Sequence, residues 1–123
     1  MAEANGFRLK RVYEPATDED GTRVLVDRLW PRGVSKERAR LDEWAKELSP
    51  SNELRVWLHA DRETRFEEFA QRYAAELAAP ELRERIAELR SRAESGVVTL
   101  LTGAAEPAHS HLSVLLAELD AQA

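Results

Sequence analysis

Arg28 and Arg32 flank the pair Trp30-Pro31, and Lys36 follows shortly after. Guanidinium groups grip phosphate or carboxylate through paired N–H bonds, and an indole face adds stacking or cation–π contact. Residues of these types, so spaced, could hold a small anion such as a phosphate or a nucleotide. The competing account is that Asp27 and Glu14 neutralise the two arginines inside a structural ion-pair network. A second candidate is Thr102-Gly103-Ala104-Ala105, which joins an apolar run to a helix opening near Pro107. A hydroxyl and free backbone N–H groups at such a junction suit an oxyanion. The segment lacks the lysine of a P-loop and the glycine spacing of dinucleotide folds, so it also reads as an ordinary connection. Lys10 or Arg11 would add positive charge, and His111 would move a proton or touch the ligand. Tyr13, Trp30 and Trp57 would form an aromatic wall or, alternatively, pack in the core. Lys46, Arg55 and Arg65 read as surface or helix-pair charges.

A metal site finds little support. His109 and His111 diverge by about 200° near a helix start, and His59 is the one further histidine. The chain of 123 residues has no cysteine, which removes disulfides, thiolate ligands and thiol nucleophiles together. It carries 18 basic and 23 acidic side chains, a net charge of −5. The excess of acid lies in residues 61–123, which would repel a polyanion, so a nucleic-acid partner is not expected. The segment 82–93 balances its arginines with glutamates and makes a poor recognition helix. No apolar run approaches the ~18 residues that span a bilayer, and no signal peptide is apparent. The expectation is a cytoplasmic protein without a membrane partner or a cofactor; a homo-oligomer stays open.

Three strands would have to carry these groups. Phe7–Tyr13 and Arg23–Trp30 read as strands, the second apolar on both faces and ended by Pro31-Arg32-Gly33. Val97–Leu101 reads as a buried parallel strand. The spacing of Leu41, Trp44, Ala45 and Leu48 predicts a helix, with Ser35 as an upstream cap. Ser49-Pro50 would open a short helix through Leu54, Trp57 and Leu58, with Asp61 capping the next. Phe66, Phe69, Ala70, Tyr73, Ala74 and Leu77 then keep helical period. Pro80 breaks that run, and Leu82 to Ala93 form a helix stopping near Gly96. Pro107 opens a last helix through Leu112, Leu115, Leu116 and Leu119. The first two strands would run parallel or pair as a hairpin; the second and third should be parallel. In a parallel sheet ligands bind beyond the carboxyl ends of the strands, here Tyr13-Glu14, Trp30 to Gly33 and Thr102-Gly103.

The strings Lys10-Arg11-Val12-Tyr13-Glu14-Pro15, Val26-Asp27-Arg28-Leu29-Trp30-Pro31-Arg32-Gly33 and Pro50-Ser51 with Leu54-Arg55 resemble the YeaO-like family, domain of unknown function 488. The similarity runs on through Phe69, Tyr73, Glu76-Leu77 and Val98 to Leu101, and to His111, covering nearly the whole chain. The resemblance implies a small three-layer α/β domain found mainly in bacteria, with no established activity. A MarR-like regulatory label used for some members does not fit the helix pattern. This chain has Thr102 where the family usually has Tyr and more distant relatives have Cys, and Ser110 where Asn is usual. Those distant relatives resemble thiol-dependent phosphatases; without a thiol, this chain would need another nucleophile.

The expected fold is therefore an α/β three-layer domain over residues 6–123, a short mainly parallel sheet flanked by helices, behind a disordered tail of residues 1–5. The expected function is binding of a small anionic, phosphate-bearing ligand at the carboxyl edge by Lys10, Arg11, Tyr13, Arg28, Trp30, Arg32, Thr102, Gly103 and His111. The alternative is a non-catalytic protein-interaction or regulatory module.

Overall fold

In the computed structural model, which describes residues 3–4 and 6–121, a five-stranded sheet has the order β1-β2-β5-β3-β4. The strands are β1 (Glu3–Ala4), β2 (Phe7–Arg11), β3 (Thr22–Leu25), β4 (Glu43–Trp44) and β5 (Val98–Thr102). Strands β2 to β5 run parallel, and β1 adds a short antiparallel edge. The expected tail over residues 1–5 lies outside the described residues apart from Glu3–Ala4, whose backbone pairs with Ala4↔Phe7 register. The helices are α1 (Lys36–Ala39), α2 (Asn52–Ala60), α3 (Arg62–Glu76), α4 (Pro80–Ser95) and α5 (His111–Ala121), with 3₁₀ turns at Asp18–Asp20, Lys46–Leu48 and Pro107–His109.

Strand β5 is central and wholly buried, as an apolar run in a parallel sheet should be. Its alternating residues serve two cores. Leu100 joins Phe7, Leu9, Val24 and Val26 against Leu58, Phe69, Tyr73, Ile86 and Leu115, so α2 to α5 cover one face. Leu101 joins Val12, Leu25 and Ala39 on the other, which Trp30, Val34, Leu41 and Trp44 close over. Truncating Leu100 or Leu101 to Ala would cost about 2–5 kcal/mol through lost burial and the cavity left behind.

The first two predicted strands are parallel, with β5 between them rather than a hairpin joining them. The connection from β2 to β3 is anchored by Asp20, which is fully buried. Its carboxylate accepts from Lys10 Nζ at 3.0 Å, from Thr17 N–H at 3.0 Å and from Arg23. Burial alone would raise this carboxyl, but the Thr17 N–H, Lys10 and Arg23 together hold it down at about 2. Gly21 follows at φ +61°, where a Cβ would fall 2.2 Å from Val97 O, so only glycine passes.

Three expectations are corrected. The second strand ends at Leu25 rather than Trp30, although Val26 N–H still reaches Leu101 O at 2.9 Å. Beyond it, Trp30 packs edge-on against Trp44 at 5.3 Å and donates from Nε1 to Val34 O at 2.6 Å, so tertiary packing replaces the ladder. The helix expected over 41–48 is the strand β4 followed by a 3₁₀ turn; its apolar spacing comes from residues buried in two different cores. Ser35 instead caps the four-residue α1, accepting from Arg38 N–H at 3.1 Å. Further along, Ser51 rather than Ser49 caps α2, and its hydroxyl and N–H are held by Glu76 at 2.6 and 2.9 Å.

Candidate functional site

A pocket of about 240 Å³ opens beyond the carboxyl ends of β3 and β5. Asp27, Arg28 and Leu29 enter it from the segment after β3, and Thr102 and Ala104 from the end of β5. Arg55, Leu58 and His59 come from α2, Arg62 and Phe69 from α3, and Ser110 and His111 from the start of α5. The floor is apolar and the wall is rich in cations.

Three guanidinium groups line it, and none has a carboxylate within 4.0 Å among the described residues. Arg28 donates from Nε to Pro50 O at 3.0 Å and from Nη2 to Ser49 O at 3.2 Å. Arg55 donates from Nη2 to Asn52 Oδ1 at 2.8 Å, while its Nε is buried with no hydrogen-bond partner. Arg62 donates to His109 O and lies with its Cζ 5.5 Å from the Phe66 ring centroid. Neutral oxygens position these side chains but leave their charge uncompensated.

One acid shares the wall. Asp27 Oδ1 accepts from Thr102 Oγ1 at 2.7 Å, and Oδ2 accepts from Gly103 N–H at 2.7 Å. His111 Nε2 contacts Val26 O and lies 3.5 Å from Asp27 Oδ1. A carbonyl can only accept, so Nε2 carries the proton. Burial pushes the His111 imidazole below its ordinary value, against the pull of Asp27 and the Val26 carbonyl and with help from Arg62. Its neutral form thus dominates at neutral pH. His59 is also shifted down, by burial and by Arg55 and Arg62.

The sequence candidates divide. Arg28, Thr102 and His111 line the pocket, whereas Lys10, Arg11, Tyr13, Trp30, Arg32 and Gly103 do not. Lys10 is spent on Asp20 and on Pro15 O. Arg11 donates from Nε to Ala104 O at 3.1 Å and stacks 4.9 Å from the Tyr13 ring centroid. Tyr13 donates to Arg32 O at 2.9 Å, and the Arg32 side chain is exposed. No aromatic wall forms: Trp30 packs on Trp44, and Trp57 carries Arg65 and Arg72 on its ring. Asp27 and Glu14 do not neutralise Arg28 or Arg32, since Asp27 holds the β5 loop and Glu14 accepts from Arg11 N–H at 2.8 Å. Arg55, assigned from sequence to the surface, is a pocket residue, as are His59 and Arg62. The spacing of Arg55 and His59 at i and i+4 was the available signal, because it puts both on one face of α2. Among the described residues no cluster of three His, Cys, Asp or Glu could hold a metal ion, and no helix is long and apolar enough to cross a membrane.

Comparison with known proteins finds uncharacterized bacterial relatives. An uncharacterized protein of Mycobacterium tuberculosis strain H37Rv is 44% identical over 115 residues, covering 94% of each chain. The uncharacterized protein YeaO of Escherichia coli is 45% identical over 110 residues, covering 89% of this chain and 92% of that one. No solved structure gives a significant match. A family model described as the inactive DUF488-N3 subclade matches residues 6–123. The chain therefore belongs to the DUF488 family, alongside YeaO, in the N3 branch described as inactive.

Proposed function

We propose that the protein binds a small anionic, phosphate-bearing ligand in the pocket at the carboxyl edge of its sheet, and does so without catalysing a reaction on it. The observation that carries this reading is the charge of the wall: Arg28, Arg55 and Arg62 face a single acid, in a chain whose net charge is −5. Arg28 and Arg55 are half-buried beside apolar surface, where a guanidinium without a counter-charge is costly to maintain unless an anion completes it. The buried, unpartnered Nε of Arg55 is one such incomplete donor. Leu29, Leu58 and Phe69 offer apolar area for the body of an organic phosphate.

Binding without chemistry follows from the groups at hand. Thr102 Oγ1 spends its proton on Asp27, and the nearest imidazole, His111, presents an N–H there rather than a lone pair. The base within reach of that hydroxyl is Asp27 itself, whose second oxygen is held by the Gly103 N–H, so the pair reads as a tie between two loops rather than an activated nucleophile. The description of the matching branch as inactive supports the same view. Its relatives named above are bacterial, which supports a bacterial setting.

A denaturation screen with inorganic phosphate, nucleotides and sugar phosphates tests the proposal, because a ligand that binds only the native state raises its stability. At a hundred times Kd the gain is about 2.7 kcal/mol. No response to any phosphate compound would defeat it.

A further inference from the structure

The acid in the pocket wall holds an unusual position. Asp27 lies just beyond β3, yet its carboxylate is turned across the sheet edge onto the loop after β5. Each oxygen meets a short donor, Thr102 Oγ1 and Gly103 N–H, both at 2.7 Å. The same hydroxyl accepts from Ala104 N–H at 3.1 Å, which fixes its orientation, so two consecutive residues, Thr102 and Gly103, meet one carboxylate. Two oxygens of a planar anion, each with its own donor, is how a protein holds a bound oxyanion. The approach is close: a Cβ on Gly103 would lie 3.3 Å from Asp27 Oδ2. The Asp27 backbone is anchored separately, its carbonyl accepting from Trp44 Nε1 at 2.7 Å. Thr102 and Ala104 line the same pocket as the arginines, so this cradle and the cationic wall are continuous.

We propose that Asp27 is the specificity-determining residue of the pocket. Its carboxylate fills a second anion subsite, made of Thr102 Oγ1 and Gly103 N–H, and limits the natural ligand to one anionic group held by the arginines. The proposal rests on the reading of the pocket as an anion site. Removing the carboxylate frees both donors and takes one negative charge from the wall.

The test is titration of ¹⁵N-labelled protein with inorganic phosphate, followed by amide NMR, in the natural chain, Asp27→Ala and Asp27→Ser. In the natural chain the Arg55 and Arg62 amide signals move and that of Gly103 stays. In Asp27→Ala the Gly103 signal moves as well, and phosphate binds about tenfold tighter, equivalent to ~1.4 kcal/mol. Asp27→Ser shortens the side chain but leaves a polar group for the loop to meet, and gives the same Gly103 response if alanine does not fold. A Gly103 signal indifferent to phosphate in the variants, or failure of both to fold, overturns the proposal. Signals at Arg55 and Arg62 that never move, with Gly103 moving in the variants, would defeat the arginine site and leave the second subsite standing.

Discussion

Replacing Asp20 with Asn should reveal how much of the stability rests on one buried carboxylate. Asp20 is fully buried, Arg23 is 4% exposed, and Lys10 completes the group at 3.0 Å. Asparagine keeps the size but leaves the buried Arg23 and the half-buried Lys10 facing an amide. Breaking a buried pair by removing one partner costs about 3–5 kcal/mol, so a loss near the lower bound is expected at pH 7. Acid gives an independent check. The folded carboxyl sits at about 2 against an ordinary 3.8, so its contribution is complete above pH 4 and is lost as pH falls toward 2. That shift corresponds to roughly 2–3 kcal/mol. The assay is urea denaturation of both proteins at pH 7, 4 and 2. The gap between them should be wide at pH 7 and narrow by about 2 kcal/mol at the acid end. A variant within 1 kcal/mol of the natural chain at pH 7, or a gap that does not change with pH, would refute the reasoning.

Arg28→Met should leave Pro50 O and Ser49 O without their donors and cost about 2 kcal/mol in urea denaturation, less than loss of a buried ion pair, while weakening phosphate binding about tenfold. A loss above ~4 kcal/mol with unchanged phosphate binding would make Arg28 structural alone. His111 should stay neutral below its ordinary value of 6.5, visible as an imidazole NMR titration displaced to lower pH. Because the folded state resists protonation, this residue's contribution is present above pH 6.5 and lost as pH falls through the lowered value. His111→Gln should flatten that part of the stability profile, and an unshifted titration would contradict the burial argument.

What could be read from sequence followed from local pattern. The run Val98 to Leu101 announced a central strand because apolar residues on both faces need cover on both sides. The period through Phe69 and Tyr73 announced α3 for a similar reason. Leu41 to Leu48 misled, since a spacing of three and four also arises when a strand and a turn bury residues in different cores. At the site, strand-end logic located the carboxyl edge with Arg28 and Thr102, while His111 was legible at the start of the last helix. It could not show that Lys10 is consumed by Asp20, because that pairing needs the β2 to β3 connection to fold back. Arg55 and Arg62 were missed for the converse reason. On helices they look like solvated charges, and only the packing of α2 and α3 at the sheet edge brings them to the pocket, Arg55 half-buried and Arg62 still exposed.

The most direct test is a calorimetric titration of inorganic phosphate into the natural chain, Arg55→Met and Arg32→Met. Arg55 lines the pocket with a buried unpartnered Nε, whereas Arg32 is exposed and outside it. The account predicts binding on the order of 1 mM or tighter, weakened about tenfold by Arg55→Met and unchanged by Arg32→Met. Absence of binding, or equal losses in the two variants, would contradict it.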